Sequence, residues 1–168
     1  MDWLQVAVQW LHVLFGIAWF GSAITTNLVF VPALMRLPIA RQAEIGVAYG
    51  EAAGRVDRVA GIGVIALGLL RGTVFGPIQS VAMLSSPYGL TWLVALGAAV
   101  ATYLWGNRVL GPAVGRIGRL EPARAVLADG SASPELRAAI AGATRKSVVQ
   151  LLGFVVVFSC MILMRFGM

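Results

Sequence analysis

The sequence predicts an all-α integral membrane four-helix bundle with both termini outside, cytoplasmic helical extensions and a cytoplasmic loop. Three observations predict it. Hydrophobic residues fill 59% of the 168 positions and charged residues only 12%, about half the charged share of an ordinary soluble domain. The charges cluster between long apolar runs instead of being spread through them. The balance is basic, 13 Lys and Arg against 7 Asp and Glu, and the basic groups flank apolar runs. That places them at a lipid surface and argues against nucleic acid as a partner. One bundle uses the whole length, so a single transmembrane domain over 1–168 is expected.

The first span is expected at about residues 3–31. Residues 5–31 carry no formal charge and include the chain's only histidine, His12. About 20 apolar residues suffice to cross a hydrocarbon core. Pro32 is expected to kink or end this helix. No basic leader region or cleavage pattern precedes the run, which is read as a span and not as a signal peptide. Residues 38–58 mix alanines with Arg41, Glu44, Glu51, Arg55, Asp57 and Arg58. They are expected to form a protruding helix that runs directly into the second span, about 59–75. Within it, Arg71 is expected near the headgroups, where arginine can snorkel.

The third span, about 88–110, has Tyr88 and Trp92 near one end and Tyr103 and Trp105 near the other, an aromatic-belt pattern. Ser133, Pro134 and Glu135 then provide an N-cap, a first-turn proline and a first-turn acid. The fourth helix is expected to start there, with its membrane part at about 147–164 and Arg165 as its stop. The first loop side holds Arg36, Arg41, Arg55 and Arg58, and the third holds Arg108, Arg116, Arg119, Arg124, Arg137, Arg145 and Lys146. Only Arg71 and Arg165 lie on the other side, so the positive-inside rule puts both loops in the cytoplasm.

Candidate chemistry centres on His12, about nine residues into the first span. A membrane histidine usually faces the bundle or a cavity, and a neutral imidazole can bind haem iron, copper or zinc, or shuttle a proton. The plain alternative is a histidine satisfied by a serine or a carbonyl. Cys160, Met161 and Met164 fall at comparable depth on the fourth span, and Met168 continues the methionine stripe. With His12 these soft donors would suit Cu(I), although methionine also serves as a gap filler in helical cores. Arg71 could neutralise a haem propionate or anchor to lipid, and Trp19 could stack on a cofactor or pack in the core. Thr25, Thr26 and Asn27 could line a polar cavity or bond across helices. Arg55, Asp57 and Arg58 form either a compensated charge cluster or an entrance for an anion or proton.

Glycines four apart (Gly50 and Gly54, Gly68 and Gly72, Gly111 and Gly115) permit close helix packing or a homo-oligomer face. The lone cysteine excludes an intrachain disulfide and a multi-cysteine metal cluster. The chain contains no Gly-rich phosphate loop and no H-E-x-x-H.

The run Leu11 to Gly21, LHVLFGIAWFG, with the following NLVFVPALMR to Arg36, resembles the first span of a superfamily of small membrane proteins. That superfamily includes the copper-resistance D domain, HemJ-type protoporphyrinogen oxidases and the membrane-anchored N-terminal region of some bacterial urate oxidases. His12, Gly16, Trp19, Gly21 and Pro32 carry the resemblance. It implies a multi-pass protein of the bacterial cytoplasmic (inner) membrane, with the histidine as a metal or haem ligand and haem b as cofactor. No second intramembrane histidine and no intramembrane lysine accompany His12, Lys146 lying at the cytoplasmic edge. The resemblance therefore implies a five-coordinate haem, a His–Met haem with Met161 or Met164, or a site shared across a dimer.

Three functions are compatible with these residues. One is an integral membrane haem-binding protein, redox-active with a redox partner. Another is a copper or small-solute transport protein. The last is a cofactor-free accessory membrane protein.

Overall fold

The computed structural model describes residues 2–121, 125–127 and 130–167. Arg124 and Met168, counted above in the loop charge and the sulfur stripe, lie outside the described residues. The chain is all-α. Helix α1 covers Trp3–Thr25 and passes through a π turn, Thr26–Phe30, into α2, Val31–Leu34. Helix α3 runs over Ile39–Thr73. A 3₁₀ turn at Val81–Ser85 leads to α4, Pro87–Trp105, then a second π turn, Gly106–Leu110, and α5, Gly111–Gly118. Helix α6 covers Pro134–Arg165.

Local chemistry sets the starts. The Asp2 carboxylate accepts from the Leu4 amide at 3.0 Å, and the Ser86 and Ser133 hydroxyls accept from Gly89 and Leu136, each at 3.1 Å. Pro87 and Pro134 occupy first-turn positions where no amide is needed.

Of the two outcomes expected at Pro32, a kink or an end, the helix does not end there, and the third helix likewise runs past Leu110 to Gly118. In both places the turn before the proline widens. The Val31 amide bonds to the Thr26 carbonyl and the Gly111 amide to the Gly106 carbonyl. The wider turn relieves the clash and missing bond that proline imposes on a tight helix. Asn27 and Asn107 add side-chain donors to the carbonyls of Ala23 and Tyr103, at 2.8 and 2.9 Å.

The helices form four antiparallel rods. Rod α1–α2 packs along α3, and rod α4–α5 packs along α6. The two hairpins join where α3 meets α4 and through an aromatic contact between α1 and α6. Trp19, 3% exposed, meets Phe154 edge-on at 4.7 Å, and Phe20 packs on Phe154 and Phe158. Ala23, Ala60, Val64, Ala99 and Val157 complete this core.

Trp3 and Arg165 mark one end of the bundle, called here the terminal end; the opposite one is the loop end. Large apolar side chains such as Trp10, Leu14, Ile17 and Leu28 lie exposed on the outside, as expected of a lipid-facing surface. Among the described residues, Trp3–Leu34, Pro87–Gly118 and Pro134–Arg165 are long and apolar enough to cross a membrane. Rod α3 has 35 residues, but charges from Arg41 to Arg58 occupy its loop-end half.

Candidate functional site

The terminal end of the bundle holds a cavity of about 320 Å³ to which all four rods contribute. Helix α1 places Gln9 and His12 there, three residues apart and hence on one face. Helix α3 contributes Gly68, Arg71 and Gly72; α4 contributes Tyr88 and Trp92; α6 contributes Met161, Met164 and Arg165. Val64, Ala99 and Val157 form the apolar floor.

Two glycines shape the walls. A Cβ at Gly68 would stand 3.1 Å from Cε1 of His12, and one at Gly72 would stand 2.1 Å from Nε1 of Trp92. Each glycine is therefore a seat for a ring. The Trp92 indole also donates to the Gly68 carbonyl at 3.3 Å. The Gly68 and Gly72 pair, expected as a helix-packing or oligomer face, thus serves the cavity. Gly50, by contrast, has open space where its side chain would be.

His12 is 6% exposed, and its Nδ1 has no hydrogen-bond partner; the buried Oε1 of Gln9 likewise has none. Burying such atoms unpaired costs about 1–3 kcal/mol each, and both belong to residues that line the cavity. Arg71 lies in the last turn of α3 and Arg165 in the last turn of α6. Both are exposed, and neither has a carboxylate partner among the described residues. Arg71 is near enough for its charge to act on the imidazole.

Of the residues singled out in the sequence, His12, Arg71, Met161 and Met164 come together here. Trp19 does not: it is clamped in the core by Phe154 and Tyr103. Cys160 is buried and free but outside the cavity lining. Its position is about 100° around the helix from Met161, while Met161 and Met164 share a face with Val157. A copper set of His12 with three sulfurs therefore loses its thiol. Among the described residues no three His, Cys, Asp or Glu side chains gather as a metal cluster.

Thr26 and Asn27 do not line this cavity. Thr26 bonds to the Ser22 carbonyl and the Tyr49 hydroxyl, both at 2.8 Å, and Asn27 accepts from the Ser147 hydroxyl. The charge cluster on α3 is split. Arg55 and Arg58 are exposed, while Asp57 is half-buried with its Oδ1 unpartnered.

Sequence reasoning missed Gln9, Trp92 and Arg165 as site residues. Gln9 stands three residues before His12, a spacing that signals a shared face. Trp92 was explained as an interface marker and Arg165 as a helix stop, yet Arg165 matches Arg71 in depth.

No protein-family model, no curated protein and no solved structure matches this chain. Its class, a helical protein with rods able to cross a membrane, rests on its own helices, and the site rests on its own geometry.

Proposed function

We propose that this is an integral membrane haem-binding protein of the bacterial inner membrane, with its loop end in the cytoplasm and with haem b held through His12. The observation that carries the reading is the buried His12 imidazole, hydrogen-bonded to the Val64 backbone and with its Nδ1 unpartnered, in the same cavity as two thioethers and two guanidiniums that have no carboxylate partner among the described residues. That donor set fits haem. An imidazole and a methionine sulfur are both iron ligands, and two guanidiniums match two propionates. The resemblance of the first span to the copper-resistance D and HemJ-type superfamily supports the same reading.

His12 would ligate iron, Met161 or Met164 could supply a sulfur ligand, and Arg71 and Arg165 would hold the carboxylates. Bound haem supplies one-electron redox chemistry. The apolar floor of Val64, Ala99 and Val157 limits water in the cavity, and Gly68 and Gly72 seat the His12 and Trp92 rings. A redox partner and a homo-oligomer belong to the same proposal.

An absorption spectrum of purified protein, oxidised and reduced, with metal analysis on the same sample, tests it. A Soret band with near-stoichiometric iron is expected. His12→Ala should lower haem retention by more than the about 10–100-fold that loss of a supporting group costs at metal sites. Unchanged retention in that variant would sink the assignment of His12. Copper in proportion to protein, without a Soret band, would replace haem with the copper reading. If neither cofactor is found after reconstitution, the accessory reading takes its place.

A further inference from the structure

The two hairpins repeat one another. Asn27, Val29, Pro32, Ala33 and Arg36 recur as Asn107, Val109, Pro112, Ala113 and Arg116, each eighty residues on. The π turns Thr26–Phe30 and Gly106–Leu110 stand at the same spacing. Asn27 and Asn107 make the same hydrogen bond, to the carbonyl four residues back. Each bent rod is followed by a long straight one, α3 or α6, which packs along it and carries an arginine in its last turn. Trp19 and Ala99, also eighty apart, meet in one core. Parallel repeats of this kind are related by an axis along the membrane normal, and binding sites gather where the repeats meet.

His12 and Trp92 are eighty residues apart as well. Both are buried, both line the cavity, and both touch Gly68, one at its missing side chain and the other at its carbonyl. We infer that the cavity lies on the pseudo-two-fold axis of a tandem repeat, and that Trp92 occupies the place of a second histidine. Trp92 is then a specificity-determining residue. It limits the site to one imidazole and leaves the remaining coordination to a methionine sulfur or to a small molecule from outside. This inference rests on the reading of His12 as the ligand-contacting residue.

The test is Trp92→His, with zinc as the probe and the melting temperature of the purified protein in detergent as the readout. Two imidazoles that converge on one point can share a metal, and a metal bound only by the folded state raises its melting temperature. Zinc should raise the melting temperature of Trp92→His, and should leave wild type and the double variant His12→Ala/Trp92→His unchanged. Leu96→His, one turn deeper on the same face of α4, is run in parallel, so that the test stands if Trp92→His does not fold. A folded variant that zinc does not stabilise overturns the convergence. The haem reading fails separately: if His12→Ala retains haem like wild type while zinc still bridges the engineered pair, the repeat geometry stands and the cofactor assignment falls.

Discussion

Gly72 and Gly50 look alike in the sequence, two small residues in one long helix, yet their surroundings give substitution opposite signs. At Gly72 a methyl group would have to displace the buried Trp92 indole. Gly72→Ala is therefore expected to destabilise by about 1–3 kcal/mol, the usual cost of overpacking. At Gly50 the space is open, and alanine should stabilise by about 0.5–1 kcal/mol through helix propensity. Thermal melts of the two variants in one detergent check the sign of each. Asp57 offers a third case. Its buried Oδ1 has no partner, so Asp57→Asn removes a partly desolvated charge at constant shape and should raise the melting temperature. An equal or lower value would show that the carboxylate is better solvated than its surroundings indicate. That His12 faces the bundle interior was legible from sequence, because an imidazole in an uncharged run turns away from lipid. The place of Trp92 was not, because a tryptophan near a helix start already has a reading as an interface marker, and only the packed helices show that it shares a cavity with His12.

The four rods were legible as elements: length and hydropathy dictate three of them, the mixed stretch running into the apolar 59–75 run gave α3, and the N-cap at Ser133 was placed correctly from Ser-Pro-Glu. The sequence left a kink or an end open at Pro32 and did not show that the third helix continues past Leu110. Local propensity says that proline stops a helix, but a π turn lets the rod continue, and no residue pattern short of the repeated Asn and Pro announces it. The π turn also puts Asn27 where it receives a hydrogen bond from Ser147 of the other hairpin. Ser147→Ala should cost about 0.5–1.5 kcal/mol, the net worth of one such bond, or more because the Asn27 carbonyl would be left unpaired. A melt no different from wild type would show that this link between hairpins is energetically idle.

At the scale of the molecule, charge and length set the placement in the membrane. Rod α3 has 35 residues, or about 52 Å at 1.5 Å per residue, against a hydrocarbon core of about 30 Å. Its charged half must stand clear of lipid. Arg36, Arg41, Arg55, Arg58, Arg116 and Arg119 all lie towards the loop end. In a Cys160→Ser background, a single cysteine at Gly115 should resist a membrane-impermeant maleimide in intact cells, and one at Ser80 should react. The reverse pattern would invert the topology. The bundle was readable at this scale because three of its helices are long and apolar enough to cross a membrane, and chains built of such helices have few ways to pack. The cavity was not, because it depends on which faces of four separate rods turn towards each other.

Each π turn holds one residue more than the helix on either side needs. The phase of the rod therefore slips there: a profile of mutational tolerance that follows the helical period through Trp3–Thr25 should restart one position late after Phe30. The slip and the proline are coupled. Deleting one residue from Thr26–Phe30 alone would press Pro32 into an ordinary helix, at a cost of about 3 kcal/mol. The same deletion together with Pro32→Ala should leave a straight helix whose far end keeps its facing. The two stretches are thus places where the chain can change length by one residue, provided that the proline changes with it.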